Sequence, residues 1–256
     1  MYKYLYRLSL FHAIGSEKYF SGCVTFYFYS RYTKKIIMKK ILVSFAVMLL
    51  AITSATAQKV MYDDNAEKRA ISSFHAIETS AGIQVIITKG NKEELAVSAS
   101  EKELIGKVET VVKNGVLKIS RESDWKFWNN FKNSRIKVYV SYVNLDGLEA
   151  SSGASIKGSD IELNKLFVHQ SSGALIELSG SADNLDVSGN SGSQFNGYDL
   201  KTITCKADVN SGADVKVNVS KEISAKANSG GSIRYKGEGL IKDINVNSGG
   251  SVKRQN

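Results

Sequence analysis

One short phrase, Ser-Gly followed by a small residue, returns at nearly constant intervals through the second half of the chain. Its six glycines are 18 to 20 residues apart. They are Gly153, Gly173, Gly192, Gly212, Gly230 and Gly249. Such a period indicates short structural units that cannot bury their apolar faces alone and therefore stack on one another. The repeat restricts this region to a solenoid.

Apolar residues flank each Ser-Gly phrase at fixed positions. The residues four before and four after the serine are apolar in every repeat, as Val187 and Phe195 are around Ser191. The residue three before the serine is always polar. This alternation predicts a strand, a tight turn and a second strand, each with one buried face. Asn precedes the serine in four repeats, and Asn and Gly tolerate positive φ, so we expect positive φ at these corners.

The fold class that follows is all-β: a β-solenoid, and specifically a right-handed parallel β-helix with coils of about 19 residues stacked about 4.8 Å apart. The chain contains no proline, which agrees with a hydrogen-bonded ladder that continues on both sides of each strand. An earlier copy of the phrase stands at 80–82. Between it and the clear repeats, the sequence predicts a short helical piece at 101–106, a hairpin turning at Asn114-Gly115 and a strand through 136–140.

The first 57 residues read as an export signal behind an extension. Met38-Lys39-Lys40, an apolar run over 41–52 and an Ala-x-Ala site before Gln58 form the three parts of a secretory signal peptide. The apolar run is shorter than the roughly 20 residues that span a bilayer. We therefore predict cleavage before Gln58 and a mature chain without a transmembrane segment, located in the periplasm, at the outer surface or outside the cell.

The predicted organisation has four parts: 1–37 a mis-assigned start extension, 38–57 the signal peptide, 58–73 a polar lead and 74–256 a single β-helix domain. The alternative is a genuine extension that turns 36–52 into an uncleaved anchor.

The net charge of +9 belongs mainly to the leader. Residues 1–57 carry eight of the 34 Lys and Arg and one of the 25 Asp and Glu, which leaves 26 basic and 24 acidic residues, or +2, in the mature chain. A charge of this size removes the support for nucleic acid as a partner. Cys205 is then the one cysteine of the mature chain, and its place in an apolar column predicts a small buried hydrophobe rather than a nucleophile.

The sequence predicts no catalytic residues, no metal and no cofactor. His75 and His169 lack a second His or Cys at ligand spacing, and metal sites need three or four convergent ligands. The polar column three before each serine, which includes Glu149 and His169, reads as solvated surface. The enzyme alternative, a polysaccharide-acting β-helix, requires carboxylates or a Lys or Arg base clustered on adjacent coils.

Two groups of residues are candidate ligand-binding sites. Five after the serine, the last three repeats place Lys216, Arg234 and Lys253 in one column, where an anion such as an acidic glycan or a lipopolysaccharide phosphate would neutralise three stacked charges. The alternative is that these long side chains spread into water. Trp125 and Trp128 predict an apolar turn that caps the solenoid, and the alternatives are a sugar-stacking surface or a subunit interface.

The serial Ser-Gly corners, the opening Phe74-His75-Ala76-Ile77 with Gly82-Ile83-Gln84-Val85, and a signal peptide ending in Ala-Gln resemble the head GIN domain family of autotransporter-type adhesins. The resemblance implies an exported β-helical protein with an adhesin-like role and no assigned catalytic residues. We therefore expect a non-enzymatic envelope or surface protein that binds a glycan or an envelope or host surface protein. A purely structural envelope protein, forming a homo-oligomer through its coils, is the remaining alternative.

Overall fold

The computed structural model describes Asp63, residues 65–122 and residues 134–255. In these ranges the chain forms fifteen strands and one 3₁₀ helix, Lys102–Lys107. The strands are β1 Glu67–Arg69, β2 Ala76–Thr79, β3 Gln84–Lys89, β4 Glu94–Ala99, β5 Val108–Lys113, β6 Val116–Arg121, β7 Ile136–Tyr142, β8 Gly147–Ala150, β9 Ser155–Gln170, β10 Leu175–Gly189, β11 Gln194–Val209, β12 Asp214–Ala227, β13 Ser232–Lys236, β14 Leu240–Val246 and β15 Ser251–Arg254.

The repeats form stacked parallel coils, so the predicted β-solenoid is confirmed. Strands β9 to β12 are 14 to 16 residues long, and each runs from one Ser-Gly corner to the next. Each pairs in parallel with the strands before and after it, so that Val187 aligns with Val168 on one side and Ala207 on the other. The alignment made on the serines is therefore the structural register.

The order of the coils at the N-terminal end departs from the order of the sequence. The coil made by β2 and β3 lies between the coil of β8 and β9 and a coil made by β6 and β7. The chain thus adds β6 and β7 to one side of its first coil before it builds the repeats on the other side. Antiparallel strands follow at this end, where β4 pairs β7, β1 pairs β4 and β5 pairs β6.

Each corner is a tight turn with two successive residues at positive φ. The serine has φ between 47° and 51° and the following glycine has φ between 70° and 74°. In the first coil, Ala81 and Gly82 have φ of 59° and 71°. A hydrogen bond closes each turn, as when the Ala154 N–H donates to the Ser151 carbonyl at 3.0 Å. Positive φ at both central positions defines the type I′ turn.

The expected positive φ is found at the corners, at the glycine but not at the asparagine. Asn190 and its three equivalents occupy the first position of the turn, where the carbonyl accepts the closing hydrogen bond. The left-handed conformation falls on the serine instead. A type I′ turn needs positive φ at its second and third positions, so the residue before the serine has no need of it.

The core is the column of inward side chains between the two faces of each coil. Val187, Phe195 and their equivalents are buried in the coils from β8 to β13. The small residue that follows the corner glycine is also buried at each corner from Ala154 to Gly231. Cys205 is 4% exposed among them, as predicted, and burial raises the pKa of its thiol to about 12. A thiol with this pKa is a poor nucleophile at neutral pH.

Candidate functional site

The three basic residues predicted as a ligand site do stand in one column. Lys216 aligns with Arg234, and Arg234 aligns with Lys253, on successive parallel strands. We call these three residues the basic ladder.

Asp214 partly neutralises the basic ladder. Its carboxylate lies 3.1 Å from the Arg234 guanidinium and 3.9 Å from the Lys216 ammonium. Two cations therefore share one anion, while Lys253 has no ion pair in the part of the chain that the structure describes. Like charges on adjacent strands repel. Asp214 reduces this repulsion, so the stacking of the three cations does not require an external ligand. Trp125 and Trp128, the other predicted site residues, lie outside the described residues.

A groove that the sequence analysis did not single out lies on the outward face formed by β6, β2, β8, β9 and β10. Its volume is about 400 Å³. Ala76 and Gly147 form its floor on two adjacent strands, Val116 stands on one side and Phe167 on the other. A Cβ on Gly147 would lie 3.0 Å from the Ala76 Cβ, so the absence of a side chain there keeps the floor low. We refer to this feature as the groove.

Phe167 is the aromatic wall of the groove. Its side chain is 45% exposed, although it belongs to a strand whose alternate residues are buried. The Lys165 ammonium lies 4.2 Å from the centroid of the ring, a cation–π contact that restrains the ring. An exposed ring next to a depression offers a flat apolar surface to a ligand.

Polar side chains follow the groove along the column three before the corner serine. Glu78, Glu149 and His169 come from successive strands in register. Lys118 forms an ion pair with Glu78 at 2.5 Å, and this hydrogen bond raises the pKa of Lys118. The His169 Nδ1 lies 2.8 Å from the Ser188 hydroxyl. The Glu149 carboxylate, in contrast, has no direct ion pair or side-chain hydrogen bond within the described ranges, and it is exposed.

The sequence predicts solvated surface for this column, and its members are half-buried or exposed. The groove was missed because Ala76, Gly147 and Phe167 are separated by 71 and 20 residues in the chain. The sequence does contain a signal for the groove, in the column five residues before the corner serine. Two small residues, Ala76 and Gly147, come before the aromatic Phe167 in that column. The repeat places Gly147 beside Phe167, and the register of β2 with β8 places Ala76 beside Gly147.

No three His, Cys, Asp or Glu side chains within residues 65–122 and 134–255 come together in a way that would hold a metal ion. His75 is engaged by Asp146, with Nδ1 and Oδ1 2.7 Å apart. In the same ranges, no helix has the length and apolar character needed to cross a membrane.

The model of the family described as "Putative auto-transporter adhesin, head GIN domain" matches residues 73–239, which is more than half of the chain. The chain belongs to this family. The resemblance read from the Ser-Gly corners is thereby confirmed, and the GIN domain includes both the groove and two members of the basic ladder. No curated protein matches the chain.

One of the similar solved structures, with a TM-score above 0.5, shows the same fold as this GIN domain. A putative adhesin from Bacteroides fragilis NCTC 9343 is 18% identical with a TM-score of 0.61, and the match covers 74% of this chain and 96% of the other. A putative lipid binding protein from Parabacteroides distasonis ATCC 8503 is 20% identical over 76% of this chain and 98% of the other, with a TM-score of 0.46. A putative adhesin from Parabacteroides merdae ATCC 43184 is 15% identical over 75% and 95%, with a TM-score of 0.42. At these identities the likeness concerns the fold alone.

Proposed function

We propose that this GIN domain is a non-catalytic, adhesin-like binding module of the cell envelope, and that it binds glycans in the groove beside Phe167. The observation that carries the proposal is the pairing of an exposed aromatic ring with an exposed carboxylate, Glu149, that makes no direct ion pair within the described ranges. Membership of an adhesin-head family supports the role. The predicted signal peptide over 38–57 supports export to the periplasm, the outer surface or the medium.

The chemistry of the groove suits a sugar ring. A pyranose has an apolar face of C–H groups and an edge of hydroxyl donors. The Phe167 ring packs against the apolar face, and the Glu149 carboxylate accepts hydrogen bonds from the hydroxyls, which are strengthened by its charge. A volume of about 400 Å³ lies within the range of small-ligand sites, enough for a short stretch of a glycan rather than a large surface.

Binding without cleavage is the form of the proposal that the charges favour. Retaining glycosidases use two carboxyl groups about 5 Å apart, one of which must hold a proton. Glu78 and Glu149 lie on adjacent strands in register, but the Lys118 ammonium lies against the Glu78 carboxyl group at 2.5 Å and occupies the side chain that a second catalytic carboxyl group would require. Release of shorter sugars from a bound polysaccharide would overturn this part of the proposal.

We further propose the basic ladder as a second site, for anionic glycans or lipid phosphates. Its support is the register of Lys216, Arg234 and Lys253. The proposal is secondary because Asp214 lies against two of the three cations.

A glycan array with three proteins tests the groove. The wild type should bind a restricted set of glycans, Phe167→Ala should lose that binding, and Ile203→Ala should keep it. Ile203 is the matched control because its side chain is 43% exposed, close to the 45% of Phe167, and it does not line the groove. A wild type that binds envelope or host proteins but no glycan would contradict the proposed ligand, and equal loss in both variants would contradict the proposed site.

A further inference from the structure

The last coil that the structure describes presents an apolar surface on its outer side. Strand β14 is exposed along its whole length, and four of its seven residues are large and apolar. Their exposed fractions are Leu240 76%, Ile241 54%, Ile244 39% and Val246 43%. Together with Val252 of β15, we call these residues the end surface.

Four members of the end surface belong to the inward columns of the core, because Val252 aligns with the buried Ile233 of β13 and the other three lie on β14. Ile241, Ile244 and Val246 align with Ile223, Ala225 and Ala227 of β12. In the preceding coil these inward positions are buried, with Ile223 and Ala227 at 0% exposure. In the final coil no described residue covers them, and the outer edges of β14 and β15 have no strand partner within the described ranges. The end surface therefore combines exposed core side chains with unpaired backbone donors and acceptors.

The opposite end of the solenoid is built differently. Its outermost strands, β1 and β5, are antiparallel to their neighbours. Strand β1 consists of Glu67, Lys68 and Arg69, and β5 exposes Glu109 and Lys113 on either side of one exposed apolar residue, Val111. Charged side chains on edge strands are a common protection against pairing with another chain. The two ends are thus not complementary surfaces.

We propose that the end surface is an interface with a second copy of this chain, related by a two-fold axis, so that two solenoids meet at their C-terminal ends. A head-to-tail contact would join unlike ends and extend into a filament, whereas a contact between like ends closes at two copies. The charged N-terminal edge favours the second arrangement.

The sequence of β14 is complementary to itself in the antiparallel direction. A two-fold axis between Lys242 and Asp243 places each lysine opposite the partner copy's aspartate and each Ile241 opposite the partner copy's Ile244. Opposite charges across paired strands are favourable and apolar pairs are buried. Asp243 has no ion pair within the described ranges, while Lys242 also contacts Glu222 at 2.9 Å. The arrangement gives Asp243 a cation.

The size of the end surface predicts a weak dimer. A coil of about 19 residues at about 3.3 Å per residue has a perimeter of about 60 Å, and faces about 10 Å apart enclose a small end of a few hundred Å². Stable interfaces bury about 800 Å² per partner. We therefore expect dissociation constants in the micromolar range rather than a permanent dimer.

Sedimentation velocity over roughly 1 to 200 μM protein tests the interface, a range chosen to bracket a micromolar equilibrium. The wild type should shift from monomer to dimer. Asp243→Lys places lysine opposite lysine, and Lys242→Asp places aspartate opposite aspartate, so each variant alone should associate at least about tenfold more weakly. An equimolar mixture of the two variants restores both opposite-charge pairs and should form a heterodimer. Recovery in the mixture also shows that both variants are folded.

Three results would overturn the proposal: a wild type that stays monomeric throughout, an Asp243→Lys variant that dimerises as well as the wild type, or a mixture that stays monomeric when both variants do. Assembly of the wild type beyond the dimer would also overturn it, because contact between like ends closes at two.

Discussion

Gly192 donates its backbone N–H to the Ser211 carbonyl of the next corner, at 3.1 Å. The equivalent bond joins every neighbouring pair of corners from Gly82 to Ser248, at 3.0 to 3.1 Å. The corners are therefore part of the ladder that holds the coils together and not loops between them. This continuity depends on two residues in the left-handed region at each corner, where only glycine is free of strain.

Gly192→Ala should destabilise the protein by about 1 to 2 kcal/mol through backbone strain alone. No atom lies within 4 Å of a Cβ at this position, so a clash contributes nothing. Gly106→Ala is the matched control, because its Cβ also meets nothing and its φ is not positive. The midpoint of guanidinium unfolding should fall for Gly192→Ala and stay level or rise for Gly106→Ala. Equal midpoints in the two variants would contradict the account of the corners.

Stability should fall as the pH rises above about 9. Burial raises the pKa of the Cys205 thiol from 9.0 to about 12 and that of the Tyr142 hydroxyl from 10.0 to about 12. The unfolded chain releases these protons at lower pH than the folded chain, so the contribution is complete below pH 9 and is lost between pH 9 and 12.

Cys205→Ala should reduce the slope of unfolding free energy against pH between about 9 and 10, and Tyr142→Phe should reduce it above about 10. Guanidinium unfolding measured at several pH values gives both slopes. The Tyr142 hydroxyl has no hydrogen-bond partner among the described atoms, so its removal should cost little at neutral pH. Slopes that match the wild type in both variants would contradict these pKa values.

Asp214→Asn should strengthen retention on a heparin column. The change removes the anion shared by Lys216 and Arg234 and leaves the basic ladder uncompensated. The cost in unfolding free energy should be below about 1 kcal/mol, as for partly exposed ion pairs. Replacing Lys216 and Arg234 by serine should weaken retention below that of the wild type. If elution is unchanged in all variants, the ladder does not bind anions.

How far the sequence predicted the structure depends on whether a feature repeats along the chain. The column of Val187 and Phe195 recurs every 19 residues or so, and the register follows it. The hairpin at Asn114-Gly115, the 3₁₀ helix and β7 were also predicted, because each has a local signal. The position of β6 and β7 next to the first coil was not predicted, because the sequence of a strand does not show with which distant strand it pairs.

The candidate site was predicted less well than the fold. The stacking of Lys216, Arg234 and Lys253 follows from the repeat. The ion pairs that Asp214 makes with two of them depend on side-chain conformations, which the spacing does not specify. The groove forms because Ala76 and Gly147, which are 71 residues apart in the sequence, lie next to each other in the fold. The exposure of β14 is a property of the last described coil and not of the repeat pattern.

The most direct test of the proposed function is a calorimetric titration of the best-binding glycan into the wild type, Phe167→Ala and Ile203→Ala. Loss of one stacked aromatic ring costs about 1 to 2 kcal/mol in a small-ligand site, or about tenfold in affinity. We predict at least that loss for Phe167→Ala and an unchanged affinity for Ile203→Ala. Equal affinities for the wild type and Phe167→Ala would contradict binding in the groove.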